Sequence, residues 1–72
     1  MADNLDERIS KNIKNEIEHS GKTKTEIALY LGVSKPTVSQ YVSGRIQPTL
    51  STFAKLCECL DCSADDILEL NK

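Results

Sequence analysis

The chain has 72 residues, 39% of them hydrophobic and 4% aromatic, which is enough for one small aliphatic core, so we expect a single domain over residues 1–72. No apolar run approaches the roughly 20 residues that span a bilayer, and the acidic start MADNLDE lacks the basic and apolar parts of a signal peptide, so we expect a cytoplasmic protein. The formal net charge of −2 by itself argues against a nucleic-acid partner, although its distribution along the chain does not.

Apolar residues recur at steps of three and four along the chain, and no stretch alternates as a strand does. The pattern predicts an all-α fold of five helices, near residues 5–20, 24–31, 35–43, 50–60 and 64–69. A capping side chain precedes each predicted helix, and three of the caps stand three residues before an acid, as in a capping box. The predicted caps are Asn4 (with Glu7), Thr23 (with Glu26), Ser34, Thr49 and Ser63 (with Asp66).

Only three residues, GVS, separate the second predicted helix from the third. A turn this short makes the two helices cross steeply, and Gly32 can adopt the left-handed conformation that ends a helix. Ala28 offers a small side chain where the two helix axes must approach. The spacing predicts a helix-turn-helix over about residues 24–43.

The third predicted helix has an apolar edge and a polar side. With Ser34 as the cap, Pro36 is the second helical residue, where a missing N–H costs little. Val38, Tyr41 and Val42 form the arc expected to be buried. The polar residues are Pro36, Gln40 and Ser43 opposite that arc, with Lys35, Thr37 and Ser39 on its flanks.

This polar side has no carboxylate, and it lies in the basic part of the chain. Residues 22–55 carry five basic residues and one acid, whereas residues 1–21 carry three and five, and residues 56–72 carry one and five. A solvated helix face is the ordinary explanation, yet such faces contain glutamate as well as lysine. Against DNA, glutamine can pair with adenine and lysine with guanine, and Thr23 would leave free amides beside Lys24 for a phosphate.

The stretch TKTEIALYLGVSKPTVSQYVSGRIQPTLSTFAKLCECLDCSADDIL resembles the Cro/C1-type helix-turn-helix family of phage repressors and bacterial regulators, also called the XRE family. The resemblance runs without gaps over about residues 22–68. It implies a lambda-repressor-like, five-helix DNA-binding domain whose third helix enters the major groove. The resemblance also implies a sequence-specific regulator of transcription, which agrees with the polar side of the third helix.

The resemblance also assigns roles to residues by position. Side chains that face bases are expected at Lys35, Pro36, Thr37, Ser39 and Gln40. Contacts to the DNA backbone are expected at Thr23, Lys24, Ser43, Arg45 and Gln47.

Three features depart from the family pattern. Many members pair an arginine in helix one with a glutamate late in helix three, but Ile17 and Val42 stand at these positions, so packing replaces the ion pair. Pro36 can offer a base only an apolar contact, for instance to a thymine methyl. Leu29 and Tyr30 fall where members carry polar, exposed residues, which indicates either partial burial and ordinary surface apolarity or a protein contact.

Two functions follow as hypotheses. The first is a repressor that binds double-stranded operator DNA as a homodimer, with Ile67, Leu68 and Leu70 as the expected dimer surface. The second is an antitoxin-like or adaptor module whose main partner is another protein. We expect no enzyme, because no nucleophile and base stand in a recognisable set. No cofactor or metal is expected either: Cys57, Cys59 and Cys62 lack a second ligand pair and read as small core residues.

Overall fold

The computed structural model describes residues 4–69, and all regular secondary structure in this range is α-helical. The helices are α1 (Leu5–His19), α2 (Lys24–Leu31), α3 (Lys35–Ser43), α4 (Leu50–Leu60) and α5 (Ala64–Leu68). The five predicted helices are confirmed, and α1 and α5 each end one residue before the predicted position. Between residues 4 and 69, no helix combines the length and apolarity needed to cross a bilayer.

Each helix begins at its predicted cap because a side-chain oxygen accepts a backbone amide of the first turn. Thr23 and Glu26 form a complete capping box, with bonds of 3.1 Å and 2.8 Å, and Ser63 forms another with Asp66. At α1 the Asn4 side chain accepts from the Glu7 amide at 3.2 Å, but the structure shows no return bond from Glu7. The local sequence therefore sets where every helix starts.

The helices enclose one aliphatic core. α1 packs against α3 and α5, and α2 packs against α3 and α4. Ile17 is buried in this core and Val42 packs against the core, so both side chains contribute apolar packing, as expected from the sequence. The buried hydrophobic residues are Ile13, Ile17, Ile27, Ala28, Leu31, Val38, Tyr41, Leu56, Cys59, Leu60 and Ile67.

The short α5 is held against α1 by polar contacts. Nδ2 of Asn12 donates to the carbonyl oxygen of Ile67 at 2.7 Å and to Oε2 of Glu69 at 2.8 Å. Ile67 is fully buried and Leu68 is half-buried. The prediction that Ile67 belongs to a dimer surface is wrong, because its side chain is buried in the core of its own chain. Leu70 lies outside the described residues.

The cysteines lie at the end of α4 and pack in or against the core, as predicted. Asp61 ends the helix with a left-handed φ of 55°, and the Cys62 amide donates to the Cys57 carbonyl at 3.0 Å, the pattern of a Schellman motif. Burial, and then the neighbouring Cys57, raise the pKa of Cys62 to about 12.

Candidate nucleic-acid interface

The turn between α2 and α3 has the predicted form. Gly32 adopts a φ of 74°, and its amide donates to the Ala28 carbonyl at 2.9 Å. The Val33 amide donates to the same carbonyl at 3.0 Å. Ala28 is buried where α2 packs on α3. Two amides on one carbonyl fix the exit from α2, so the direction of α3 is determined within three residues.

The start of α3 is held by its cap. Oγ of Ser34 accepts from the Thr37 amide at 3.3 Å and lies 2.8 Å from Oγ1 of Thr37. Pro36, the second helical residue, has no amide hydrogen to donate. Of the first three residues of α3, only Lys35 keeps an unengaged backbone N–H. An anion at this helix terminus would therefore meet one amide and the Lys35 side chain.

The two sides of α3 differ as the helical wheel predicts. Val38 and Tyr41 are buried, and Val42 is half-buried against the core. On the other side Lys35, Pro36, Gln40 and Ser43 are exposed, and Thr37 and Ser39 are half-buried on the flanks. All six polar-side residues therefore lie at the surface of one short helix.

The segment of the chain around α3 is basic, although Asp6 and Glu7 of α1 line a pocket beside Ser43 at the end of α3. No aspartate or glutamate occurs anywhere in residues 27–57. No ion pair within residues 4–69 engages the side chains of Lys24, Lys35 or Arg45. Because these cations have no carboxylate partner to give up, contact with a phosphate does not first require an ion pair to break.

The start of α2 offers a second place for a phosphate. The capping box uses the amides of Thr23 and Glu26, and no hydrogen bond in the described part of the chain engages those of Lys24 and Thr25. The half-buried Lys24 adds a positive charge at the same helix terminus. The Glu26 carboxylate, 2.8 Å from the Thr23 nitrogen, adds a negative charge that opposes phosphate binding at this terminus.

The loop after α3 is anchored at both ends. Gly44 adopts a φ of 81°, and the amides of Gly44 and Arg45 donate to carbonyls of the last turn of α3 at 3.2 Å and 3.0 Å. Nε2 of Gln47 donates to the Asp6 carbonyl of α1 at 3.3 Å. Arg45 and Gln47 are both exposed, and the Gln47 side chain is already engaged by its bond to the Asp6 carbonyl. The Ser43 hydroxyl donates to the Gln40 carbonyl at 3.1 Å.

A family profile described as helix-turn-helix matches residues 13–67, which is most of the chain and includes the whole core. The chain belongs to the Cro/C1-type helix-turn-helix family. Members of this family are DNA-binding regulators, so the chain is a DNA-binding protein of the transcription-regulating kind. A search of curated proteins and a search of solved structures each found no match.

Large apolar residues are exposed on the surface of this fold, and only two of them, Leu29 and Tyr30, were singled out from the sequence. Leu29 and Tyr30 on α2 are 79% and 53% exposed, so partial burial does not explain them. Ile46 and Leu50 are 39% and 87% exposed, which was not predicted from the sequence. The available signal was that Leu50 directly follows the Thr49 cap and stands outside the buried stripe of α4.

Proposed function

We propose that the chain is a sequence-specific transcriptional repressor that binds an operator through α3 in the major groove. The residues proposed to face bases are Lys35, Pro36, Thr37, Ser39 and Gln40. The residues proposed to contact the DNA backbone are Thr23, Lys24, Ser43, Arg45 and Gln47.

The observation that carries the proposal is the outer surface of α3, which is exposed, polar and free of carboxylates. Within residues 4–69 the exposed Gln40 side-chain amide has no hydrogen-bond partner, so its donor and acceptor are both available to the N7 and N6 groups of one adenine. Lys35 suits the acceptors of guanine, and Pro36 suits a thymine methyl. An ordinary solvated helix would not need to exclude acids from this whole region.

The backbone contacts would surround α3 in the chain. Lys24 and the free amides at the start of α2 lie before it, and Arg45 lies after it in the anchored loop. Contacts of this kind fix the position of a helix on the duplex without reading its sequence. Gln47 would act by holding the loop to α1 as well as by any contact of its own.

We further propose that two copies bind a near-palindromic operator with half-site centres about 34 Å apart, one turn of B-DNA. A dimer seated on a promoter prevents polymerase from occupying the same DNA, which is the simplest route to repression. The operator is expected near the promoter of the protein's own gene.

Selection of bound duplexes from a random pool tests the proposal. Gln40→Ala should lose about 1 to 3 kcal/mol of discrimination at one base pair per half-site. Lys24→Ala should weaken binding to all duplexes alike and reduce the salt slope by about one unit. Lys55→Ala removes the same charge from the exposed side of α4 and is the matched control.

A two-fold consensus with these two signatures would support the proposal. If no sequence is enriched, or if Gln40→Ala leaves every base preference unchanged, α3 does not read DNA as described. If Lys55→Ala matches Lys24→Ala in both affinity and salt slope, the Lys24 effect is only one of net charge.

The exposed Leu29 and Tyr30 favour a second candidate, an antitoxin-like or adaptor module that binds another protein through α2. Under this alternative, DNA contact is secondary, and we expect weak or undetectable binding to every duplex tested, without sequence selection. A steep salt dependence, together with sequence selection, separates the repressor from the adaptor.

A further inference from the structure

We propose that Cys57 and Cys62 form a reversible disulfide within one chain, across the end of α4, when the protein meets a hydroperoxide. The pair lies on α4 and the turn after it, outside the surface proposed to bind DNA. The inference therefore does not depend on the proposed function. The third cysteine, Cys59, takes no part in the bond.

The end of α4 brings the two residues together. The Asp61 amide donates to the Glu58 carbonyl at 3.3 Å, and the Cys62 amide donates to the Cys57 carbonyl at 3.0 Å. With Asp61 at a φ of 55°, these are the two bonds of a Schellman motif, in which the side chains at the positions of Cys57 and Cys62 frequently touch. With standard bond lengths, the second bond limits the distance between the two Cα atoms to about 7 Å. A disulfide can bridge Cα atoms up to about that separation.

The two thiols also share their surroundings. Burial raises the pKa of both, and the carboxylates of Glu16 on α1 and Asp66 on α5 add to the rise in each case. The Cys57 thiol itself contributes to the pKa of about 12 at Cys62. Both residues are half-buried, so the pair lies near the surface, where a small oxidant can reach it.

Cys59 faces another part of the fold. It is buried, and as the second residue after Cys57 it lies about 200° further round the helix. After burial, the groups that shift its pKa are Lys22 and Glu26, before and in the first turn of α2. In the folded chain Cys59 is therefore directed away from the other two thiols, and it serves as an internal control.

Two thiols and one hydroperoxide account for every atom of the step. The Cys57 thiolate attacks a peroxide oxygen, which becomes the hydroxyl of a sulfenic acid, and the other oxygen leaves and is protonated to water or an alcohol. The Cys62 sulfur then attacks the sulfenic sulfur, the S–S bond forms, and the hydroxyl leaves as water with the Cys62 proton. Two electrons pass from the sulfur atoms to the peroxide. Exchange with a small dithiol reverses the bond.

The order of attack follows from the two pKa values. Although burial raises the pKa of Cys57, the Cys62 thiol lowers it, so Cys57 ionises before Cys62. The carboxylates of Glu16 and Asp66, which face the pair from α1 and α5, oppose this ionisation. Because only the thiolate attacks, we expect the bond to form about tenfold faster at pH 8 than at pH 7.

Oxidation of the full chain by dilute hydrogen peroxide tests the proposal. After the reaction the chain is denatured, its remaining thiols are alkylated, and it is cut after Glu58, which separates Cys57 from Cys62. Two of the three thiols should be lost, and the two fragments should stay joined, lighter by two hydrogen atoms, until dithiothreitol is added. The bridged chain should also melt several degrees higher, because the bond restricts the unfolded chain.

Three variants and one condition serve as controls. Cys59→Ala should form the bond at the wild-type rate, whereas Cys57→Ala and Cys62→Ala should form no disulfide within the chain. Thermal unfolding shows whether each variant is folded. Oxidation in urea should yield a mixture that includes bonds to Cys59, because the unfolded chain allows all three pairings of its cysteines.

The proposal is overturned if the native chain keeps three reactive thiols at a peroxide concentration that oxidises the chain in urea. Fragments that separate before reduction would also overturn it, because Cys59 would then be the partner of Cys62. Loss of the bond in a folded Cys59→Ala variant would show instead that Cys59 is the partner of Cys57. A rate that does not change between pH 7 and pH 8 would exclude attack by the Cys57 thiolate.

Discussion

Replacement of Gly44 by alanine should destabilise the protein more than the same replacement at Gly32. Both glycines end a helix with positive φ, 81° and 74° respectively. A β-carbon at Gly32 would meet nothing within 4 Å, whereas one at Gly44 would lie 3.3 Å from Cβ and 3.4 Å from Oγ of Ser10. The stability lost in Gly32→Ala therefore measures the cost of the backbone conformation alone. The stability lost in Gly44→Ala measures that cost together with the steric cost of the close approach of α1.

The expected magnitudes follow from these two terms. An alanine in the left-handed region costs about 1 to 2 kcal/mol, partly offset by about 0.4 to 1 kcal/mol because alanine restricts the unfolded chain. Gly32→Ala should thus lose about 1 kcal/mol. Ser10 is buried in the middle of α1 and has little room to retreat, so Gly44→Ala should lose about 1 kcal/mol more.

Urea unfolding followed by circular dichroism measures both losses. In a domain of this size, 1 kcal/mol corresponds to about 4 to 8 °C in the melting temperature, so the two variants are resolvable by heat as well. A double-mutant cycle with Ser10→Gly should recover the extra loss at Gly44. Equal losses in the two alanine variants, or no coupling to Ser10, would refute the argument that α1 and the end of α3 are in tight contact.

Three further substitutions, at two positions, test the end of α4. Burial raises the pKa of Cys62 to about 12, so its neutral thiol stabilises the folded chain fully below about pH 9. This contribution is lost as the pH rises toward 12. In urea titrations across that range, the unfolding free energy of Cys62→Ala should therefore decline less steeply than that of the wild type. In the same assay, Asp61→Gly should raise the unfolding free energy by about 1 kcal/mol. Glycine relieves the strain of the left-handed φ of 55°, and the substitution removes a carboxylate from the negative end of the helix. Asp61→Ala keeps the backbone strain and should not give this gain.

Much of the fold could be predicted because its determinants are local. Thr23 and Ser63 stand three residues before an acid, and Gly32 directly follows Leu31, the last buried residue of α2, so residues close in sequence carry the information. The two sides of α3 follow from helical geometry in the same way. These features need no knowledge of which distant residues meet.

The features that could not be predicted depend on contacts between distant parts of the chain. Ile67 is buried because Asn12, 55 residues earlier, holds the end of α5 against α1. The close approach of Gly44 to Ser10 and the bond from Gln47 to Asp6 also join segments far apart in sequence. Leu50 is 87% exposed at the start of α4, and its place directly after the Thr49 cap was the one local sign of this.

The capping network has a consequence for how this protein can change over generations. The residues that specify where helices begin and what fills the core are distinct from those on the outer surface of α3, such as Lys35, Pro36 and Gln40. Substitutions at these outer positions leave every cap and every buried contact in place. If these outer positions contact DNA as proposed, single substitutions there can change the target preference at little cost in folding stability, and gene duplication can yield regulators that share a shape but not a target.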